Sequence, residues 1–67
     1  MPVKKRELAK RATRAGFVLL KGRGKGSHRV YGHPKPGVPR IILSGKLNDD
    51  AAPHEESQVR DAIEAAR

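Results

Sequence analysis

The stretch "FVLLKGRGKGSHRVYGH", residues 17–33, decides the fold because it joins two short apolar segments through a loop of glycines and cations. The first segment, residues 17–20, is a short apolar run, and its length and β-forming side chains favour a strand over a helix. In residues 22–27 the glycines permit positive φ and let the backbone turn tightly. Residues 28–33 carry the alternation of a second strand. The whole stretch therefore predicts a β-hairpin.

The segments on either side of this hairpin predict two helices and a third strand. Residues 4–15 have apolar side chains at helical spacing, and Gly16 follows them as a left-handed cap. Residues 40–43 predict a third strand after a proline-rich turn. Pro53 suits the first position of a closing helix, which places on one face Val59, Ala62, Ile63 and Ala66. The pattern predicts one α+β domain over residues 1–67, ordered α-β-β-β-α, with both helices on one face of a three-stranded antiparallel sheet.

The composition limits both the core and the chemistry. The chain has 67 residues, and its aromatic side chains are Phe17 and Tyr31. We therefore expect a core of Leu, Ile, Val and Ala, with Tyr31 inside it rather than stacked on a ligand. The absence of Cys excludes disulfides and thiolate zinc sites, and three scattered His do not make a metal site. We expect neither a metal nor another cofactor.

The net charge of +8 is distributed unevenly along the chain. Residues 1–47 carry +12 and residues 48–67 carry −4. The cations of the first helix are predicted to cover its outer faces: Lys5, Arg6, Lys10, Arg11 and Arg14. A basic body of this kind favours a polyanionic partner such as RNA. The sequence lacks the pattern of a signal peptide or a membrane span, which predicts a cytoplasmic protein without a membrane partner.

His28 is the strongest candidate for chemistry because it begins a strand directly after the glycine and cation loop. Cleavage of RNA without a metal requires a base for the 2′-hydroxyl proton, an acid for the leaving oxygen, and positive charge around the phosphorus. Imidazole can serve as the base or the acid near neutral pH. Lys25 and Arg29 flank His28 and can supply the charge. The alternative is that His28 is an ordinary solvated strand residue.

The remaining candidates bind rather than react. The residues expected to hold RNA phosphates are Lys21, Arg23, Lys25, Gly26, Ser27 and Arg29. Ser27 has no His-Asp relay in sequence and is interpreted as a hydroxyl donor to phosphate. "GRGKGS" differs from a P-loop, which leads directly into a helix, whereas here a strand follows. His33 precedes a proline and is interpreted as a turn residue, with a supporting acid–base role left open, and His54 is interpreted as a surface residue.

"GKGSHRVYGHP", residues 24–34, resembles the signature of the HicA (YcfA-like) family of toxin mRNA interferases. The Gly16-Phe17 pair ahead of the first strand is also similar to that family, and the resemblance extends over residues 6–43. After the third strand the chain follows a different pattern, "SGKLNDDAAPHEESQVRDAIEAAR".

The resemblance implies a fold like that of double-stranded RNA-binding domains, cleavage of mRNA, and membership of a type II toxin-antitoxin system. It further implies inhibition by a cognate HicB-like antitoxin protein, and it aligns the family's catalytic histidine with His28.

Two other functions fit the same residues. One is a non-catalytic RNA-binding module that uses the cationic face for shape and phosphate recognition. Such a module binds RNA in a salt-sensitive way and leaves it intact. The other is a protein-interaction subunit that docks a partner through the glycine-rich loop and the acidic terminal helix.

Overall fold

The computed structural model describes residues 3–20 and 28–67 and confirms the predicted element order. The elements are α1 (Lys5–Arg14), β1 (Val18–Leu19), β2 (Arg29–Gly32), β3 (Ile41–Leu43) and α2 (Pro53–Ala66). The strands form an open antiparallel sheet in the order β1-β2-β3. Each strand is shorter than predicted, so that His28 and His33 lie just outside the two ends of β2. The whole of the predicted hairpin loop, residues 22–27, lies outside the described residues, as does Lys21.

The end of α1 is a Schellman motif that turns the chain into β1. The N–H of Phe17 donates to the carbonyl of Ala12 at 3.0 Å, and the N–H of Gly16 donates to that of Thr13 at 3.1 Å. Gly16 has a φ of +97°, a conformation that favours glycine. The motif confirms the predicted cap and carries the Phe17 ring into the core, where it is buried.

Both helices pack on the same face of the sheet and enclose one core. The buried side chains of this core come from both helices, β2, β3 and the residues between elements: Leu8, Ala12, Phe17, Tyr31, Ile41, Leu43, Ala51, Val59 and Ala62. Tyr31 is buried among them, as predicted. Because side chains alternate along a strand, the neighbours of Tyr31 and Ile41 point to the face that the helices do not cover. We call it the open face, although Val30 at its centre is buried.

Three rows of residues cross the open face. The paired residues Val18 and Gly32 belong to the first row, and extending the β2–β3 register by one residue adds Arg40 to it. Val30 and Ile42 pair in the second row, and Leu20 joins them through its N–H, which donates to the Val30 carbonyl at 2.8 Å. At the start of β2, extending the β2–β3 register by one residue pairs His28 with Ser44, which form the third row.

The outer edge of β3 is closed by side chains of α2. The amide of Gln58 accepts from the N–H of Ile42 at 2.8 Å and donates to its carbonyl at 3.1 Å. One helical turn earlier, the Glu55 carboxylate accepts from the N–H of Ser44 at 3.2 Å. These bonds occupy the polar groups that an edge strand otherwise offers to another chain.

Glu55 is a buried carboxylate that joins three elements. Its Oε1 accepts from the N–H of Ala52 at 2.9 Å and lies 3.3 Å from Nζ of Lys5, which also donates to the Ser44 carbonyl. Burial by itself raises the pKa of Glu55, but the hydrogen bonds from Ala52 and Ser44 and the Lys5 ammonium outweigh it, and the pKa is lowered. The prediction that Lys5 covers an outer face of α1 is therefore wrong, because Lys5 is half-buried against this carboxylate.

His33 ties the end of β2 to the end of α1. Its Nδ1 accepts from the N–H of Lys35 at 3.0 Å, so Nε2 carries the proton and donates to the Ala15 carbonyl, also at 3.0 Å. The ring meets Phe17 edge to face, with the ring centroids 4.9 Å apart. Both nitrogens of His33 thus have structural partners, which confirms its interpretation as a turn residue.

Replacing Glu55 by Gln should destabilise the fold by about 3 kcal/mol at neutral pH, because the substitution leaves Lys5 buried without a counter-ion. Since the folded-state pKa of Glu55 lies below the ordinary value of 4.5, its stabilisation is full above that value and is lost as the pH falls through the folded-state pKa. Denaturant unfolding at about pH 7 and about pH 3 measures both effects. The wild type should lose more stability than Glu55→Gln between the two pH values.

Glu56→Gln is the matched control, because Glu56 is the next residue on α2 and does not belong to the Lys5–Glu55 cluster. It should change stability by about 0.5 kcal/mol or less. Equal losses in the two variants would contradict the role given to Glu55.

Replacing His33 by Ala should lower the free energy of unfolding by about 2 kcal/mol, because two hydrogen bonds and the Phe17 contact are lost. Replacing His54, an exposed residue in the first turn of α2, should change it by about 0.5 kcal/mol or less. Thermal and denaturant unfolding of both variants measure the difference. A stability for His33→Ala equal to that of His54→Ala would show that the His33 bonds contribute nothing.

Candidate functional site

His28 lies exposed at the start of the central strand, directly before β2. Its register position pairs it with Ser44 in the third row of the open face, away from both helices. The bonds that Glu55 and Lys5 make to the backbone of Ser44 hold this end of the sheet in place. The imidazole is therefore presented to solvent by a backbone that the buried cluster fixes.

The residues predicted to bind phosphate fall into two groups. Five of them lie outside the described residues: Lys21, Arg23, Lys25, Gly26 and Ser27. Arg29 lies in β2, half-buried, opposite Leu43. By strand alternation it shares the helix-covered face with Tyr31, so its side chain must extend past the end of the sheet to reach a phosphate at His28.

His33 lies at the opposite end of β2 from His28. The two are five residues apart along an extended chain, a separation of about 16 Å. Because both ring nitrogens of His33 are bonded to backbone groups, the structure does not bring it to His28 as a second acid or base. His54 lies on α2 and is exposed, as predicted.

The cations of the described residues lie in two layers. Lys46 follows β3 at the His28 end of the sheet, while Arg40 precedes β3 at the far end, and both are exposed. The α1 cations belong to the helical layer, where Lys10 and Arg14 are exposed and Arg11 lies 3.6 Å from Glu7. A polyanion that touches both His28 and α1 must therefore pass around the end of the sheet.

The described part of the chain shows neither a metal cluster nor a membrane span. Within residues 3–20 and 28–67, His, Asp and Glu side chains nowhere gather in a group of three that could hold a metal ion. Over the same residues, none of the helices is both long enough and apolar enough to cross a bilayer.

Two features of the site region were not predicted from the sequence. The first is the buried cluster of Lys5 and Glu55, for which the sequence does hold a signal, since Glu55 stands three residues after the residue preceding α2, the position of a capping-box acid. The second is a groove of about 500 Å³ over Gly32 on the open face. The glycine in the central strand is the signal in the sequence, since its missing side chain leaves room for Leu20, which also lines the groove.

No protein-family model, curated protein or solved structure matches this chain. The resemblance to the HicA signature thus stays a prediction that depends on residues 16–17 and 24–34.

Proposed function

We propose that this protein is the toxin of a type II toxin-antitoxin system, a metal-independent endoribonuclease that cleaves mRNA with His28 as its acid–base group. The observation that carries the proposal is the position of His28, exposed at the start of the central strand on the open face. In sequence it directly follows a segment with three cations, in a chain of net charge +8. Exposed imidazole beside concentrated positive charge suits attack on a phosphodiester.

The reaction needs no cofactor. The imidazole of His28 takes the proton of a 2′-hydroxyl, whose oxygen bonds to the adjacent phosphorus. The bond from phosphorus to the 5′-oxygen then breaks, and that oxygen receives a proton. The products are a 2′,3′-cyclic phosphate and a 5′-hydroxyl end. Cations around the phosphate stabilise the charge that develops on its oxygens.

Among the described residues, His28 is the one histidine at the end of the sheet where β2 begins. His33 lies about 16 Å away along β2 with both nitrogens bonded, and His54 belongs to α2. Among the described residues we therefore assign the acid–base role to His28, and we expect water to protonate the leaving oxygen. Protonation of the leaving oxygen by water is slower than protonation by a positioned acid.

A toxin of this class needs a protein that restrains it, and a HicB-like antitoxin fits the chain's surface. The side chains of Val18 and Ile42 are 57% and 48% exposed on the open face. Exposed aliphatic residues near cations suit an acidic protein with apolar anchors. Binding there would cover His28 and block access of mRNA in the cytoplasm.

A non-catalytic RNA-binding module is the second candidate. It is favoured by the exposed cations of α1, Lys10 and Arg14, which lie in the layer opposite to His28. Cations in that position can bind phosphates without contributing to cleavage.

Purified wild-type protein should cleave RNA in the presence of a metal chelator, and His28→Ala should cleave at least about 100-fold more slowly, because removal of a general acid or base typically costs that much. Denaturing gel electrophoresis of an end-labelled RNA measures the rate. Unfolding midpoints of the variants confirm that both are folded.

His54→Ala is the matched control and should cleave like the wild type, since His54 is an exposed histidine on α2. Cleavage at equal rates by all three proteins would overturn the role of His28. Tight binding by all three without any cleavage would establish the binding module instead. Induced expression offers a second readout, with growth arrest by the wild type and none by His28→Ala.

A further inference from the structure

We propose that the groove over Gly32 holds one unstacked base of a single-stranded RNA; this inference rests on the proposed function. Val18, Gly32 and Arg40 lie in the first row of the open face and line the groove together with Leu20, whose side chain occupies the space next to Gly32. The groove has a volume of about 500 Å³, within the range of sites that hold small ligands.

The lining of the groove suits a flat, weakly polar group. Its walls are mainly aliphatic: Val18, Leu20, Pro34 and Val38. His33 and Arg40 also line it and contribute two planar groups. RNA-binding proteins stack unpaired bases on imidazole rings and guanidinium planes of this kind.

His33 is suited to stacking because its polar atoms are already occupied. Nδ1 accepts from Lys35 and Nε2 donates to Ala15, so the ring has no free nitrogen to offer a ligand. The contact with Phe17 holds the ring plane. His33 therefore adds to the lining of the groove an aromatic ring whose two nitrogens are already bonded.

The charge around the groove favours a polyanion. Residues 8–48 include all three strands and contain no Asp or Glu. Arg40 lines the groove and is exposed. A negatively charged backbone thus meets no acidic side chain from the strand-forming part of the chain.

The position of the groove relative to His28 favours RNA over an acidic protein. Gly32 and His28 lie four residues apart along β2 on the same face, a separation of about 13 Å. A single strand laid along β2 spans that distance with a few nucleotides. A base seated in the groove would therefore fix which phosphate reaches His28, and would set the sequence preference of cleavage.

The first test uses isotope-labelled His28→Ala protein, which cannot cleave by the proposed route, and NMR titration with the four nucleoside monophosphates. Amide signals of Val18, Leu20, Gly32 and Val38 should shift to different extents with different bases. Ribose 5-phosphate, which lacks a base, should leave those signals in place. Equal shifts with ribose 5-phosphate would overturn the inference.

The second test measures affinity of the same protein for a fluorescent single-stranded RNA. Adding Val18→Asp should weaken binding by about tenfold, because the new charge lies inside the groove and opposes a stacked base. Adding Leu19→Asp is the matched control, since Leu19 carries the same charge change on the same strand but on the other face. Arg40→Ala should likewise weaken RNA binding more than Arg60→Ala. Arg60 serves as the control because it is an exposed arginine on α2.

The outcomes separate the two proposals. If neither RNA nor nucleotides bind at all, the proposed function fails. If RNA binds but Val18→Asp and Leu19→Asp weaken it equally, the function survives and the groove inference fails. Shifts of the groove signals with an acidic, leucine-containing peptide but not with nucleotides would assign the groove to a protein partner. Shifts of the groove signals that appear when the protein concentration is raised without any ligand would assign the groove to a second copy of the chain.

Discussion

The fold depends on one buried carboxylate. Glu55 accepts hydrogen bonds from the start of α2 and from the end of β3, and it pairs with Lys5 at the start of α1. Desolvation of a carboxylate is costly, so the ionised form persists only because these partners surround it. A small aliphatic core by itself gives a domain of this size little net stability. The cluster adds a fixed geometry in which one end of the sheet is joined to both helices.

That geometry decides which surface is available for function. Both helices lie on one face, and the edge of β3 is closed by Gln58 and Glu55. Within residues 3–20 and 28–67, the open face is therefore the surface of the sheet that no helix covers. His28 and Ser44 lie at one end of it, and the groove over Gly32 lies at the other. The same residue, Ser44, is bonded to the buried cluster and pairs in register with His28. The buried cluster that stabilises the fold therefore also fixes the strand end that carries His28.

Local pattern was sufficient to predict the elements and their order. Helical spacing located α1 and α2, Gly16 marked the end of α1, and alternation placed Tyr31 in the core. Predicted strand limits were one residue or more too long because the sequence does not show where cross-strand bonds stop. Lys5 was misplaced for a related reason: its partner Glu55 lies 50 residues later, and a helix pattern contains no information on such a distant contact.

The candidate site was predicted in part. Residues 17–33 located His28 at a strand start, and the structure adds that His33 is too far away and too fully bonded to assist it. The groove was missed because its lining combines residues in and next to β1, residues at the end of β2 and residues that precede β3, which are brought together only in the folded chain.

We propose that the open face is the RNA-binding surface. NMR mapping of His28→Ala protein with a single-stranded RNA of about ten nucleotides tests it most directly. The largest shifts should fall on the three rows, at Val18, Val30 and Ile42, and should decline toward α1. Shifts confined to α1 cations such as Lys10 and Arg14, with the rows unchanged, would contradict it.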